Sequence, residues 1–151
     1  MEWLTHLRGT VVGLDTAPLI YLIERHPKYL PLVQPFFEAM ARGEFFVVTS
    51  SLTLTEVLVH PLRRGDHLLA NKYSSILRHT SHLATLPISP EIAEEAAQIR
   101  AAHGVKTPDA IQLAAARFGG ASAFLTNDSG LASIPVLSII VLDQLLETPL
   151  Q

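Results

Sequence analysis

Short apolar runs alternate with longer segments of helical periodicity along most of the chain. The first run, residues 11–14, is rich in β-branched side chains and uncharged, as expected of a parallel strand covered on both faces. Pro18 follows at a position that suits the first turn of a helix, where a missing N–H is no loss. Asp15 is therefore predicted to lie where a strand gives way to a helix, and ligands bind at such positions in open α/β sheets.

The remaining pattern predicts four more strands and five more helices. The strands are 11–14, 45–49, 83–86, 123–126 and 136–142, and the helices are 18–25, 28–42, 50–60, 66–79, 90–103 and 108–118. Strands that alternate with helices indicate a parallel sheet with helices on both faces, and the length suits one domain, 1–151. Residues 1–10 are expected to form an irregular segment before the first strand. Pro61 is expected to end the third helix. The fourth helix is predicted to face the core with Leu68, Leu69, Tyr73, Ile76 and Leu77.

Composition limits the classes of protein that the chain can belong to. The chain is 48% hydrophobic and 17% charged, which indicates either a deeply buried sheet or an apolar surface covered in a homodimer or by a partner. It has no cysteine, which excludes disulfides, cysteine–zinc sites and thiol catalysis. No secretory signal is apparent, and no apolar run reaches the roughly 20 residues that span a bilayer. We therefore expect a cytoplasmic protein without membrane contact.

Four carboxylates lie at or near the carboxyl ends of the predicted strands. Asp15 follows the first strand, Glu56 lies in the first turns of the helix after the second, and Asp128 follows the fourth. These strand ends share one edge of a parallel sheet, and Asp109 joins them if helix 108–118 begins there. Clustered like charges oppose ionisation unless a cation binds among them. Carboxylates without histidine or cysteine suit Mg²⁺ or Mn²⁺, and nearby helix N-termini offer N–H groups to a phosphate.

Each acid taken alone also has a simpler structural explanation. Asp15 suits a helix cap, and Thr53 with Glu56 has the spacing of a capping box, in which Glu56 bonds back to the Thr53 N–H. The run Thr107-Pro108-Asp109 is an ordinary helix start, and residues 127–130 have ordinary turn chemistry. The pattern leaves these explanations open for the single residues, whereas the metal-site hypothesis accounts for all four acids together.

Four segments resemble the PIN-domain family, and most closely its VapC-type toxin ribonucleases. They are residues 14–16 with 19–21, then 50–58, 106–114 and 124–128, in the family's order and over nearly the whole chain. The resemblance implies an α/β fold with three α/β/α layers and a five-stranded parallel sheet of order 3-2-1-4-5. Thr126 resembles the hydroxyl residue that supports the family's acidic site. Ala17 departs from the Asn or Ser of many relatives, and Thr16 is the neighbouring residue able to supply a hydroxyl there.

The resemblance also implies an activity and partners. It implies an endonuclease that hydrolyses RNA phosphodiester bonds with Mg²⁺ or Mn²⁺, as the toxin of a type II toxin–antitoxin pair, with a cognate antitoxin and a homodimer. Asp15, Asp109 and Asp128 would hold the metal, and Glu56 would complete the cluster or orient the attacking water. Two readings stay open beside this one: a PIN-like RNA-processing nuclease outside a toxin–antitoxin system, and a non-catalytic module that binds RNA or a partner.

Contacts to a nucleic-acid substrate are less sharply indicated than the acidic site. The formal net charge of −3 gives no global basic field, so RNA would depend on local cations and a bound metal. Arg63, Arg64 and Lys106 are the candidate phosphate contacts, which position a chain without reading its sequence. A solvated turn explains Arg63 and Arg64 equally well. Lys106 is equally well explained as an ordinary surface residue.

Overall fold

Five parallel strands form one sheet in this computed structural model, which describes residues 1–146. The strands are β1 (Val11–Leu14), β2 (Phe46–Ser50), β3 (Leu83–Leu86), β4 (Ala123–Thr126) and β5 (Ser138–Val141). Their order in the sheet is β3-β2-β1-β4-β5, which confirms the expected topology and places β1 at the centre. The predicted domain extends to residue 151, and its last five residues lie outside the described part.

Helices surround the sheet on both faces. They are α1 (Glu2–Thr5), α2 (Thr16–Ile23), α3 (Leu30–Ala41), α4 (Ser51–Arg63), α5 (His67–His79), α6 (Pro90–His103), α7 (Thr107–Phe118) and α8 (Leu142–Leu146). One core cluster packs the α2, α3 and α5 side chains against one face, and a second packs α6 and α7 against the other. This is the three-layer arrangement expected when every strand is followed by a helical crossover.

Helix α7 approaches the central strand closely because β1 contains a glycine. A Cβ atom at Gly13 would lie 2.5 Å from the Cβ of Ala116 and 2.8 Å from Cδ1 of Phe124. Ala114, Ala115 and Ala116 of α7 are all buried, and Ala116 is the one that faces Gly13. The first turn of α7, which carries Asp109, is thereby held against the strand that ends at Asp15.

The amino-terminal segment is partly helical, whereas the sequence predicts an irregular segment before β1. Residues 2–5 form α1, and the Trp3 ring stacks on Phe36 with ring centroids 6.0 Å apart. Leu7 is buried in the core at 5% exposure. The prediction fails because α1 is only four residues long: Trp3 and Leu7 have the i, i+4 spacing of one helix face, but so short a segment shows no repeat of that pattern.

Helix α4 continues through Pro61, so the prediction that this proline ends the helix is wrong. Pro61 lies in the last turn, is buried, and is followed by Leu62 and Arg63 within the same helix. A proline there removes one hydrogen bond of the final turn only, and burial of its ring offsets part of that loss. Arg63 therefore lies on a helix and only Arg64, the C-terminal cap, begins the turn.

Two further predictions are wrong in detail. Leu68 of α5 is 85% exposed and does not face the protein core, whereas Tyr73 and Leu77 of the same helix are buried as predicted. The fifth strand is shorter than predicted, because it begins at Ser138 and gives way at Leu142 to α8. Leu68 shows that an apolar residue of a helix need not face the core, and the apolar residues that flank β5, Val136, Leu137 and Leu142, are packed without belonging to the strand.

Candidate active site

Asp15 lies at the end of β1 and caps α2. Its backbone N–H donates to the Leu125 carbonyl at 3.0 Å, which ties it to the neighbouring strand β4. Its carboxylate is bonded at both oxygens: Oδ1 accepts from the backbone N–H of Thr16 at 2.8 Å, and Oδ2 accepts from the Thr126 hydroxyl at 2.7 Å. The capping role proposed from sequence is therefore real, and it fixes the carboxylate at the edge of the sheet.

Thr126 connects two of the four acids. Its hydroxyl donates to Asp15 and accepts from the backbone N–H of Asp128 at 3.0 Å. Asp128 Oδ1 in turn accepts from the Gly130 N–H at 2.9 Å, so the predicted turn after β4 is present. Because Thr126 is fully buried, its hydroxyl fixes the strand end on which Asp128 lies relative to Asp15.

The loop that carries Asp128 is also held from the opposite side. Asn127 donates through Nδ2 to the Tyr21 hydroxyl at 3.1 Å, and its Oδ1 accepts from the backbone N–H of Asp143 at 3.0 Å. Tyr21 belongs to α2 and Asp143 to α8. The end of β4 is thus tied to two helices, which restricts where the Asp128 side chain can lie.

Glu56 lies on α4 and is reached from α2. The Thr16 hydroxyl donates to Glu56 Oε1 at 2.7 Å. The capping-box explanation is wrong, because α4 is capped by Ser50, whose Oγ accepts from the Leu52 N–H at 3.2 Å. Thr53 lies inside the helix, and its hydroxyl is bonded to other side chains.

Asp109 lies in the first turn of α7, whose cap residue is Lys106 and not Thr107. Burial, followed by repulsion from Asp15, Asp128 and Glu56, raises the pKa of Asp109 from 3.8 to about 6, and nearby Lys106 opposes this rise. Burial also raises the pKa of Asp15, with smaller contributions from Glu56 and Asp128, while the Thr126 and Thr16 hydrogen bonds act in the opposite direction. The four predicted acids therefore share one electrostatic environment.

The donor set has the chemistry of a site for a hard divalent cation. All four side chains are carboxylates, and their mutual repulsion would be relieved by a positive ion among them. Within residues 1–146, no three acidic or histidine side chains are arranged, as they stand, to hold a metal ion. Binding would therefore require the carboxylates to converge, with water completing the coordination as Mg²⁺ prefers.

The three candidate phosphate contacts lie at different distances from the acids. Lys106 lies beside Asp109 and is exposed. Arg63 and Arg64 lie about two helical turns beyond Glu56, roughly 10 Å farther along the axis of α4. Neither guanidinium forms an ion pair with an acid in the described part of the chain. Lys106 is thus the candidate cation nearest to the acids.

Sequence reasoning missed the polar side chains that support the acids from below. Thr49, Ser50, Thr53 and Gln112 are all buried, and hydrogen bonds connect them to Thr16. One signal was available, because Gln112 is the single polar residue in the apolar segment 110–116. A buried polar side chain in such a segment requires partners, which points to a network.

The chain belongs to the PIN-domain family, since the family model of the PIN domain matches residues 12–137. The matched range contains all four acids and, apart from Val11, the strands β1 to β4, and it ends at the residue before β5. This confirms the family resemblance carried by the sequence motifs. A comparison with curated proteins found no match to this chain.

Solved structures with the same fold include three from bacteria. VapBC2 from Rickettsia felis, bound to a promoter DNA fragment, has a TM-score of 0.68 and 18% identity, with 87% of this chain and 98% of that chain covered. The Mycobacterium tuberculosis toxin VapC20, which cleaves the sarcin–ricin loop, has a TM-score of 0.67 and 18% identity over 85% and 98%. A Klebsiella pneumoniae toxin–antitoxin complex has a TM-score of 0.64 and 23% identity over 88% and 98%. At these identities the likeness establishes the fold.

No helix within residues 1–146 combines the length and the apolar character needed to cross a bilayer.

Proposed function

We propose that this PIN-domain chain is a divalent-metal-dependent ribonuclease that acts as the toxin of a toxin–antitoxin pair. The observation that carries the proposal is that four carboxylates from separate segments lie near enough to one another for Asp15, Asp128 and Glu56 to raise the pKa of Asp109. Their mutual influence on the pKa of Asp109 supports a site built for a cation, because such a cluster is costly without one. The fold shared with VapC proteins supports the choice of RNA as substrate.

In this proposal Asp15, Asp109 and Asp128 hold Mg²⁺ or Mn²⁺ directly or through water. The ion, when bound, neutralises charge on the scissile phosphate and lowers the pKa of a water molecule. Thr126 holds the Asp15 carboxylate in place, and Lys106 offers a positive charge to the phosphate chain beside Asp109. Each of these protein groups positions the substrate or the acids before the reaction, which lowers the barrier more than flexible groups would.

Glu56 completes the cluster of proposed ligands and is also assigned to the attacking water. Its Oε1 accepts from the Thr16 hydroxyl at 2.7 Å, and its Oε2 takes no hydrogen bond within the described residues. The second oxygen is therefore available to accept a proton from the water as its oxygen bonds to phosphorus. The bond from phosphorus to one ribose oxygen breaks in the same reaction, and that oxygen leaves with a proton from solvent. General-base assistance of this kind requires a carboxylate held within hydrogen-bond distance of the water, and the Thr16 contact restricts where Glu56 can point.

Cleavage of end-labelled RNA tests the proposed function. The wild-type protein should cleave RNA with Mg²⁺ or Mn²⁺ and should stop when EDTA is added. Asp15→Asn keeps a side-chain oxygen to cap α2 but removes the charge, so cleavage should fall by more than about 100-fold, the upper end of losses from outer-shell changes.

The matched control for this experiment is Tyr73→Phe, which removes a 2.6 Å hydrogen bond to Glu24 away from the acids. It should cleave at the wild-type rate. Cleavage that survives EDTA or Asp15→Asn overturns the proposal, and a folded wild-type protein that binds RNA without cleaving it favours the binding-module alternative.

An antitoxin partner, a homodimer and a cytoplasmic location belong to the same proposal. Solved neighbours include complexes of toxins with antitoxins, which supports the partner. Exposed apolar side chains at Leu62, Leu68 and Phe118 support contact with other chains. Expression of the chain alone should arrest bacterial growth, whereas Asp15→Asn should not, and light scattering after size exclusion should give twice the mass of the chain.

A further inference from the structure

A network of buried polar side chains lies beneath the acidic edge. It consists of Thr16, Thr49, Ser50, Thr53 and Gln112, each at most 9% exposed. Burying these groups is unfavourable unless each finds a partner, and all of them are hydrogen-bonded. The network therefore has a defined set of donors and acceptors that can be followed atom by atom.

The donors and acceptors of the network can be assigned one after another, beginning with Ser50. Its hydroxyl donates to Gln112 Oε1 at 2.8 Å, which orients the amide so that Nε2 points to the threonines. Nε2 donates to Thr53 Oγ1 at 2.6 Å and reaches Thr16 Oγ1 at 3.5 Å. The reversed amide would leave too few protons for the threonine contacts, since each hydroxyl has one.

The remaining protons are then assigned without conflict. Thr49 donates to the Leu14 carbonyl at 2.9 Å, so Thr53 must donate in its 2.8 Å contact with Thr49. Thr53 has no proton left for Thr16, and Gln112 approaches Thr16 as a donor. The single proton of the Thr16 hydroxyl is therefore kept for Glu56.

We propose that Gln112 positions Glu56 for divalent-cation binding by holding the Thr16 hydroxyl as a donor. Gln112 is three residues beyond Asp109 on α7, Thr16 follows Asp15, and Thr53 precedes Glu56 by one turn of α4. One amide thus joins the three segments that carry three of the proposed ligands. The inference rests on the metal site of the proposed function and makes Gln112 a positioning residue that touches neither ion nor substrate.

A purely structural role for Gln112 makes a different prediction. If the amide only satisfied the hydrogen bonds of its buried partners, its loss would lower the free energy of unfolding and would leave the affinity of the site for a cation unchanged. If it acts through Thr16, its loss frees the Thr16 hydroxyl to turn away, and Glu56 loses its fixed orientation. Loss of such an outer-shell contact weakens metal binding by about 10- to 100-fold.

Mn²⁺ binding to the full chain without RNA tests the inference by calorimetry. Gln112→Met and Thr16→Val should each weaken Mn²⁺ binding by about 10-fold. The double variant should bind no more weakly than either single variant, because both changes act through the one hydrogen bond from Thr16 to Glu56. Thr16→Ser restores the hydroxyl and should recover most of the affinity, and Tyr73→Phe should bind as the wild type does.

Thermal unfolding of each variant shows which of them are folded. If Gln112→Met does not fold, Gln112→Asn replaces it, since that side chain keeps an amide but draws it back by one methylene from Thr16. Equal Mn²⁺ affinity in the wild type and the folded Gln112 variant overturns the inference, and so do losses that add in the double variant. A wild-type protein that binds no Mn²⁺ overturns the proposed metal site as well, which distinguishes the two failures.

Discussion

At the scale of single residues, the acids differ in how they are held. Asp15 is bonded at both oxygens, to the Thr16 N–H and the Thr126 hydroxyl, and these bonds favour its charged form. Asp109 has no comparable stabilisation, and only Lys106 opposes the rise of its pKa. The charge on Asp109 is consequently unfavourable when no cation is bound.

This difference predicts a pH-dependent stability. The pKa of Asp109 is about 6 in the folded chain against an ordinary 3.8, so the folded state binds the proton more tightly than the unfolded state does. In EDTA the free energy of unfolding should therefore fall as the pH rises from about 4 to 6. Asp109→Asn removes the charge and should raise the unfolding free energy at pH 7 by about 1 kcal/mol, a value reduced for solvent screening of a half-exposed group.

Urea unfolding in EDTA at pH 4 and pH 7 measures this effect. The gain from Asp109→Asn should be present at pH 7 and close to zero at pH 4, where the wild-type carboxyl is already protonated in the folded state. Saturating Mg²⁺ should reverse the order at pH 7, because the wild type alone gains from binding. A variant that is less stable than the wild type at pH 7 in EDTA contradicts the description of Asp109.

At the scale of elements, the site depends on the approach of α7 to β1. Gly13 allows the small residues of α7 to lie against the central strand, and Asp109 and Gln112 both belong to that helix. The same helix thus contributes a proposed ligand and the amide that orients the threonines. Any change that moves α7 away from β1 should alter both at once.

Gly13→Ala tests that dependence. The added Cβ would meet Ala116 at 2.5 Å and Phe124 at 2.8 Å, contacts too short to form without displacing α7. Overpacking of this kind should lower the free energy of unfolding by about 1–3 kcal/mol, as measured in urea. Because Asp109 moves with the helix, Mn²⁺ binding by the folded variant should weaken as well.

The control for this change is Gly104→Ala at the end of α6. The new Cβ has open space around it, but φ is +68°, so the cost is about 1 kcal/mol of backbone strain. This variant should lose stability and keep its Mn²⁺ affinity. Unchanged Mn²⁺ binding in both glycine variants would show that the site does not depend on the position of α7.

At the scale of the whole molecule, local sequence signals define the architecture and leave the packing open. The bounds of β1, β3, β4 and α6 agree with prediction, because strong signals such as the left-handed Gly104 after α6 mark their ends. Pro61 and Leu68 show the limit of such signals. Whether a proline is buried in a last turn, or a leucine lies outside the packed face, is decided by neighbouring elements.

The candidate site shows the same division. The positions of Asp15 and Asp128 are predictable, because an acid that follows a parallel strand lies on the ligand-binding edge. The links from Thr16 to Glu56 and from Gln112 to Thr53 depend on how α2, α4 and α7 pack at that edge. No pattern within one segment contains that information, so the support beneath the acids could be found only in three dimensions.

Anomalous scattering from crystals soaked in Mn²⁺ shows whether the four carboxylates bind a divalent cation at the carboxyl edge of the sheet. We expect an anomalous peak bounded by Asp15, Asp109 and Asp128, with Glu56 beside it. The peak should disappear in crystals of Asp15→Asn. Wild-type crystals that bind Mn²⁺ only elsewhere, or that show no peak at this edge at saturating Mn²⁺, would mean that the four carboxylates do not form a metal site.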